Sequence, residues 1–431
     1  MIPIRLDNGF HSVILPAETT ERDRVILGFR TGTRFETTAT AGFSRWWLES
    51  ARAGTLLFPN STQLHVFFEA QGGGLKIFQD AEASGFQADF SASARVRALE
   101  TLSTLARTPL HRDPMGARKK AAQARALPLT QALLPHLFGD HPLAKTGKDE
   151  TLALSSARSA DLLFFEREMI QPENCVLIWQ TTADEEQTRD ILETHFGAWR
   201  NSPRDERPVL HVGEEETGIS AFGETHPIRP PSSPDAPFLF PSRRKGPLSL
   251  LLPADEALLE FQISFLGDGR GSQQFFAQRL LWEGLTGGPT ARLQQRLATL
   301  PEDIQGLQAQ IEPYTDVSLF SMGGQCAPAS AHLLLEALFH EIFKVKRNPL
   351  TPEEIERARR QLTLKENETL EGSEARGHSA LRQSLCGWVV NEIAQEADIE
   401  RAARQMLLED RMAIALRGRL AKVDQRALSG F

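Results

Sequence analysis

Tyrosine occurs once in this chain, cysteine three times and methionine six times. Cys175, Cys326 and Cys386 are widely spaced and odd in number. They form no disulfide framework and no CxxC site, and their apolar or mixed neighbours suit buried thiols. No run of about 18 apolar residues is present, which excludes a membrane-spanning helix. The opening MIPIRLDNGFHSVILP lacks a basic segment followed by an apolar one, so it reads as a strand and not as a secretory leader. The cytoplasm is the expected location, or the periplasm if a leader was removed. Positive charge is also short. A net charge of −8 sets nucleic acid and anionic membranes aside as partners. The one basic cluster, Arg118-Lys119-Lys120 with Arg125, reads as a solvated helix face. Between Glu100 and Glu150 there is no glutamate at all.

What is present fits a globular protein of more than one domain: 431 residues, 41% hydrophobic and 24% charged. Leu6–Leu15 and Arg24–Phe29 read as strands, the first punctuated by Asn8-Gly9. Thr62–Ala70 reads as a helix ending at a triple glycine. Leu75–Phe78 and Gly85–Ser91 read as paired strands, and Arg95–Ala106 as an amphipathic helix stopped by Pro109. Ser159–Met169 (helix), Cys175–Gln180 (buried strand) and Ala183–Trp199 (helix) close this half. From Arg200 the composition turns rich in proline and charge, which suits an extended linker. The second half repeats the order of elements, with strands at Leu259–Phe265, within Leu307–Gln325 and at Met412–Leu416. Ala160-Asp161-Leu162 through Met169, then a strand, can be laid on Ala397-Asp398-Ile399 through Met406, then a strand. This points to a duplicated α+β domain: 1–200, a linker over 201–253, and 254–431.

The most informative stretch is Gly32–Thr55, GTRFETTATAGFSRWWLESARAGT. It closely resembles the signature of the pitrilysin/insulinase-type zinc peptidases, the inverzincins. Their pattern is roughly G-S-R-x-E, a loop, G-x-x-H-x-x-E-H and then G-T. There, two His one helical turn apart hold zinc and the Glu activates water. Gly32, Glu36, Gly42 and Gly54-Thr55 align without a gap. The first His position is then Arg45, the Glu position Leu48 and the second His position Glu49. Sliding by one gives Trp46, Glu49 and Ser50, which is no better. Gly72-Gly73 with Glu82, Asp140-His141-Pro142-Leu143, Gly287-Gly288 with Arg292-Leu293, and Leu350 to Ile355 are similar to further family motifs, in family order.

The resemblance implies the mitochondrial-processing-peptidase/LuxS-like metallohydrolase fold, with two homologous α/β-roll domains forming half of a clamshell around a peptide. It also implies where chemistry is lost. The third zinc ligand should be a Glu on a downstream helix, which here reads GARKKAAQARA. The substrate-strand positions are Lys76, Ile77 and Gln79. The Arg/Tyr pair of the second domain falls on Ala298 and Gln305, while Tyr314 belongs to a turn with Asp316. No metal and no cofactor are expected. The implied role is an inactive homologue: the non-catalytic subunit of a two-chain zinc peptidase, binding a peptide or protein substrate. The alternative is a free-standing structural or peptide-binding module that pairs with itself.

Other groupings read more plainly. Arg45 and Glu49 suit a helical ion pair. His332, Glu336 and His340 hold metal-type donors, but two helical turns, about 12 Å, separate the histidines, which suits a polar helix face. Trp46-Trp47 suits one core and one rim Trp. GDGRGS, residues 267–272, is similar to a phosphate loop but reads as a turn after a strand. No Ser/His/Asp or Cys/His set stands at a diagnostic spacing.

Overall fold

The computed structural model describes residues 1–17, 19, 21–111, 113–122, 128–139, 141–201, 247–300, 304–388 and 394–420. They form two compact units. In the first, a six-stranded sheet runs β1-β2-β6-β3-β5-β4, with β1 Ile2–Arg5, β2 His11–Pro16, β3 Arg22–Phe29, β4 Gly74–Gln79, β5 Ser84–Ser91 and β6 Cys175–Thr181. In the second, a five-stranded sheet runs β7-β11-β8-β10-β9, with β7 Leu248–Pro253, β8 Leu259–Asp268, β9 Ile304–Pro313, β10 Val317–Cys326 and β11 Met412–Gly418.

The sheets share one topology. β2 and β6 pair in parallel, as do β7 and β11; β3 bridges β6 and β5 antiparallel, as β8 bridges β11 and β10. Among the described residues only β1 has no counterpart. Central strands explain the longest apolar runs: every residue of β6, CVLIWQT, is buried, because both of its faces are covered.

One face of the first sheet carries α1 Phe43–Ala51, α3 Arg95–Arg107, α7 Ser159–Met169 and α8 Glu185–Phe196 around a large apolar core. The other face carries α13, Ser373–Cys386, whose Ala380 and Leu381 pack on Val13, Ile26, Val176 and Ile178. The approach is close: a Cβ at Gly377 would lie 2.6 Å from Ile26 Cδ1. The second sheet packs against α9 Gln274–Thr286 and α14 Glu396–Met406 on one side, and α5 Leu129–Phe138 also lies against it.

The units therefore do not follow the chain end to end. Ala126–Ala144 belongs to the second unit and Leu370–Gly387 to the first. β7 also begins the second sheet at Leu248, inside the stretch read as linker; among the described residues apolar LSLLLP stands at the sheet's edge and pairs only with β11. Residues 202–246 of that stretch lie outside the described residues. No helix among the described residues is long and apolar enough to cross a membrane.

Candidate functional site

The signature begins where β3 leaves the first sheet. Gly32 has φ 140°, and a Cβ there would sit 2.5 Å from the carbonyl oxygen of Asp80, so the chain passes this turn only without a side chain. The backbone N of Arg34 donates to Ala81 O at 2.9 Å, and Arg34 Nη1 meets Glu82 Oε1 at 2.9 Å. Glu36 then turns inward. It is 3% exposed, and its two carboxylate oxygens accept from Gly42 N and Ser44 N, each at 2.8 Å. Gly42 caps α1 in the left-handed region, φ 83°. A carboxylate satisfies the free N–H groups of a helix start and complements its dipole. Lys145 Nζ donates to Thr33 O at 2.8 Å. Burial pushes the Glu36 carboxyl above its ordinary pKa, against the pull of these donors and of Lys145. Burial likewise brings Lys145 down to about 8. Gly32, Arg34, Glu36 and Glu82 thus build strand exit, turn and helix start, and none of that requires a metal.

The positions at which the resemblance implies zinc ligands and base lie on α1. Leu48 is fully buried in the core. Glu49 pairs with Arg52 at 2.8 Å, so the expected Arg45–Glu49 pair does not form. Arg52 stands nearer the helix end, where carbonyl groups also favour a cation. The buried Nε of Arg45 has no hydrogen-bond partner. Glu49 and Arg52 border a pocket of about 350 Å³ with Asn60, His65, Asp113 and Lys120. Among the described residues no group of three or more His, Cys, Asp and Glu side chains is placed to hold a metal ion.

Lys76, Ile77 and Gln79 lie on β4, facing Gln87, Phe86 and Ser84 of β5. β4 ends the sheet, so its other edge is unpaired among the described residues. Lys76 is exposed, and Ile77 and Gln79 are half-buried. In the second unit, Ala298 follows α10, Arg292–Leu297, and is exposed. Gln305 lies on β9 opposite Gln325. Tyr314 closes the β9–β10 turn, its hydroxyl donating to Glu312 Oε2 at 3.3 Å.

Both tryptophans of α1 are fully buried, which corrects the expectation of one rim Trp. α1 has no solvent side for them: Trp46 Nε1 donates to Pro114 O at 2.7 Å, and Trp47 meets Phe29 and Phe86 edge-on. Trp47 Nε1 also reaches Glu166 Oε2 at 3.1 Å. Glu166 belongs to a chain that no spacing reveals: Ser50 Oγ lies 2.7 Å from His111 Nδ1, and His111 Nε2 lies 2.5 Å from Glu166 Oε2. The donors are 61 and 55 residues apart in sequence. His111 holds φ 45°, strained for a residue with a side chain. The order resembles a hydrolytic triad, but Ser50 is 0% exposed, so no acyl group can reach it. It ties the end of α1 to α7. His332 and Glu336 are 4.0 Å apart on the exposed face of α11, Ala331–Lys344, with His340 on the same exposed side. GDGRGS forms the turn between β8 and α9.

Residues 157–362 match the family described as the Peptidase M16 inactive domain. The fold recurs in a protease from Helicobacter pylori (TM-score 0.74, 14% identity, 96% of this chain and 98% of that chain covered). It recurs in a peptidase M16 inactive domain from Pseudomonas fluorescens (TM-score 0.76, 14% identity, 97% of each chain). A chain of Complex III2 from Candida albicans is similar as well (TM-score 0.76, 14% identity, 99% of each chain). Among curated proteins none matches the sequence. The family match thus spans just under half of the chain, and the fold of the whole chain is the one these M16-type proteins share.

Proposed function

We propose that this chain is the non-catalytic subunit of a two-chain zinc peptidase of the M16 type. The partner supplies zinc and the water-activating base, and this chain supplies part of the chamber and grips the peptide. One observation carries the reading: β4, a sheet edge unpaired among the described residues, packs against a helix, FSRWWLESA, with no His or Cys to hold a metal. An extended peptide can add to such an edge as a further strand, with main-chain hydrogen bonds for affinity and alternating side chains for selectivity. Lys76, Ile77 and Gln79 are the side chains it would meet. Grip is thereby separated from chemistry, which suits a subunit whose partner cleaves.

A second reading is a self-paired structural or binding module. The likeness to a chain of Complex III2 supports it, as does the absence of an Arg/Tyr pair at Ala298 and Gln305. Co-expression with a homologue carrying an intact His-x-x-Glu-His motif separates the two. The expected result is a stable complex that cleaves peptides faster than the homologue alone, while this chain alone cleaves none. If no complex forms, or if the homologue is equally active by itself, the second reading replaces the first.

A further inference from the structure

On the α13 side of the first sheet, a row of residues crosses three strands. Arg5 on β1 stands opposite His11 on β2, and His11 stands beside Val176 on β6. Side chains directly across a ladder share a face, and Val176 packs with Leu381 of α13. The last turn of α13 and the residues after β3 complete a cavity of about 530 Å³, whose lining includes Arg5, His11, Arg30, Ser384 and Leu385. Arg30 is anchored from behind: its N donates to Asn174 O at 3.0 Å, and Asn174 Nδ2 donates to Arg30 O at 3.3 Å.

Two guanidinium groups of this cavity, and the imidazole of His11, which burial and the Arg5 charge hold below its ordinary pKa, lack partners. Among the described residues, the side chains of Arg5, His11 and Arg30 make no hydrogen bond or ion pair, and Arg30 Nε is buried. Arg30 only stacks over Phe35, at 5.4 Å. The one acid on the lining, Glu173, accepts from Asn201 Nδ2 at 2.7 Å. A cation excess here is unusual for a chain of net charge −8. Among the described residues β1, which supplies Arg5, has no counterpart in the second sheet.

We propose that this cavity binds a carboxylate with a short aliphatic body, carried by a small organic acid or by the C-terminal residue of a peptide. Guanidinium forks match a carboxylate in two parallel hydrogen bonds, and His11 and the Ser384 hydroxyl add donors. Pro3, Val176 and Leu385 give the aliphatic body an apolar wall, which inorganic phosphate could not use. The volume falls in the range of small-ligand sites. The proposal does not depend on the subunit reading, since it needs no second chain.

Calorimetric titration of the full chain tests it with four probes: isovalerate, N-acetyl-Ala-Leu as the free acid, the same peptide as its amide, and inorganic phosphate. At least one free acid should bind, with the amide at least about tenfold weaker, a factor ordinary for a charge-assisted pair. Isovalerate binding as tightly as the peptide acid identifies a free small acid as ligand; tighter peptide binding identifies a chain terminus. Arg5→Gln and Arg30→Gln should each weaken the free acid about tenfold or more. If Arg30→Gln does not fold, Arg5→Gln decides, because Arg5 is exposed and holds no structural contact. Equal binding of acid and amide, phosphate binding without carboxylate binding, no binding of any probe, or unchanged binding by Arg5→Gln would overturn the assignment.

Discussion

At the residue scale, the signature divides into residues that fold the chain and residues that would hold metal. Glu36 illustrates the first kind. Its carboxylate is buried because two N–H groups of α1 and the Lys145 charge compensate it. The same pair makes a pH dependence. Folded Lys145 releases its proton near pH 8, against an ordinary value of 10.5. Between those values the unfolded chain holds a proton that the folded chain has lost. Stability attributable to this group is therefore flat below pH 8 and rises with pH above it, by at most about 1.4 kcal/mol per unit. In Lys145→Met that rise is absent. Urea melts at about pH 7.5, 9 and 10 should show the wild type gaining on the variant as pH increases. Other alkaline groups, such as Lys346, cancel in this comparison. A pH-independent difference would mean that Lys145 is not held in the buried position described.

At the element scale, the clearest legible feature was the duplication. α7 and α14 begin at Ser159 and Glu396, and β6 and β11 at Cys175 and Met412, in both cases 237 residues apart. Asp161 and Asp398 cap the two helices in the same way, accepting from Arg158 N at 2.7 Å and Gln395 N at 3.1 Å. Local signals of this kind need only neighbours, so they survive in a sequence. What could not be read there depends on distant partners. SEARGHSALRQSLC gives no hint that its small and apolar face meets strands from the start of the chain, at Val13 and Ile26, as well as Val176 and Ile178. Nor does FSRWWLES tell that α1 is enclosed on both Trp sides, or that Ser50 meets His111. β7 was hidden for a different reason: six residues of strand adjoin a proline-rich, charged stretch that dominates any window. The exchanged helix has a consequence. Leu381 is fully buried, so Leu381→Ala should cost about 2–5 kcal/mol in a urea melt. A fragment of residues 1–201 lacks α13 and would leave Val13, Ile26, Val176 and Ile178 uncovered. It should bind a hydrophobic dye and lose that signal when a 370–388 peptide is added. A fragment that is monomeric, cooperative and dye-free without the peptide would contradict the described first unit.

At the scale of the whole molecule, the question is what a chain with a peptidase frame and no ligand set contributes to an assembly. On the proposed reading, metal and chemistry belong to the partner, so the zinc count reports the division of labour directly. By the resemblance, the chain has Arg45, Leu48 and Glu49 where the ligands and base would stand, and Glu49 is already held by Arg52. A complex with a homologue of intact motif should therefore contain one zinc for each pair of chains, measured by metal analysis after chelator-free purification, and this chain purified alone should contain none in stoichiometric amount. Replacing Arg45 and Glu49 together by Ala should leave the activity of the pair close to wild type. Neither residue touches a reacting group on this reading. One zinc in the isolated chain would remove the alignment on which the inactive assignment of α1 rests. Two zincs per pair would place a second centre on this chain. A large loss of activity in the double variant, with the pair still assembled, would move Arg45 or Glu49 from the structural frame into the chemistry.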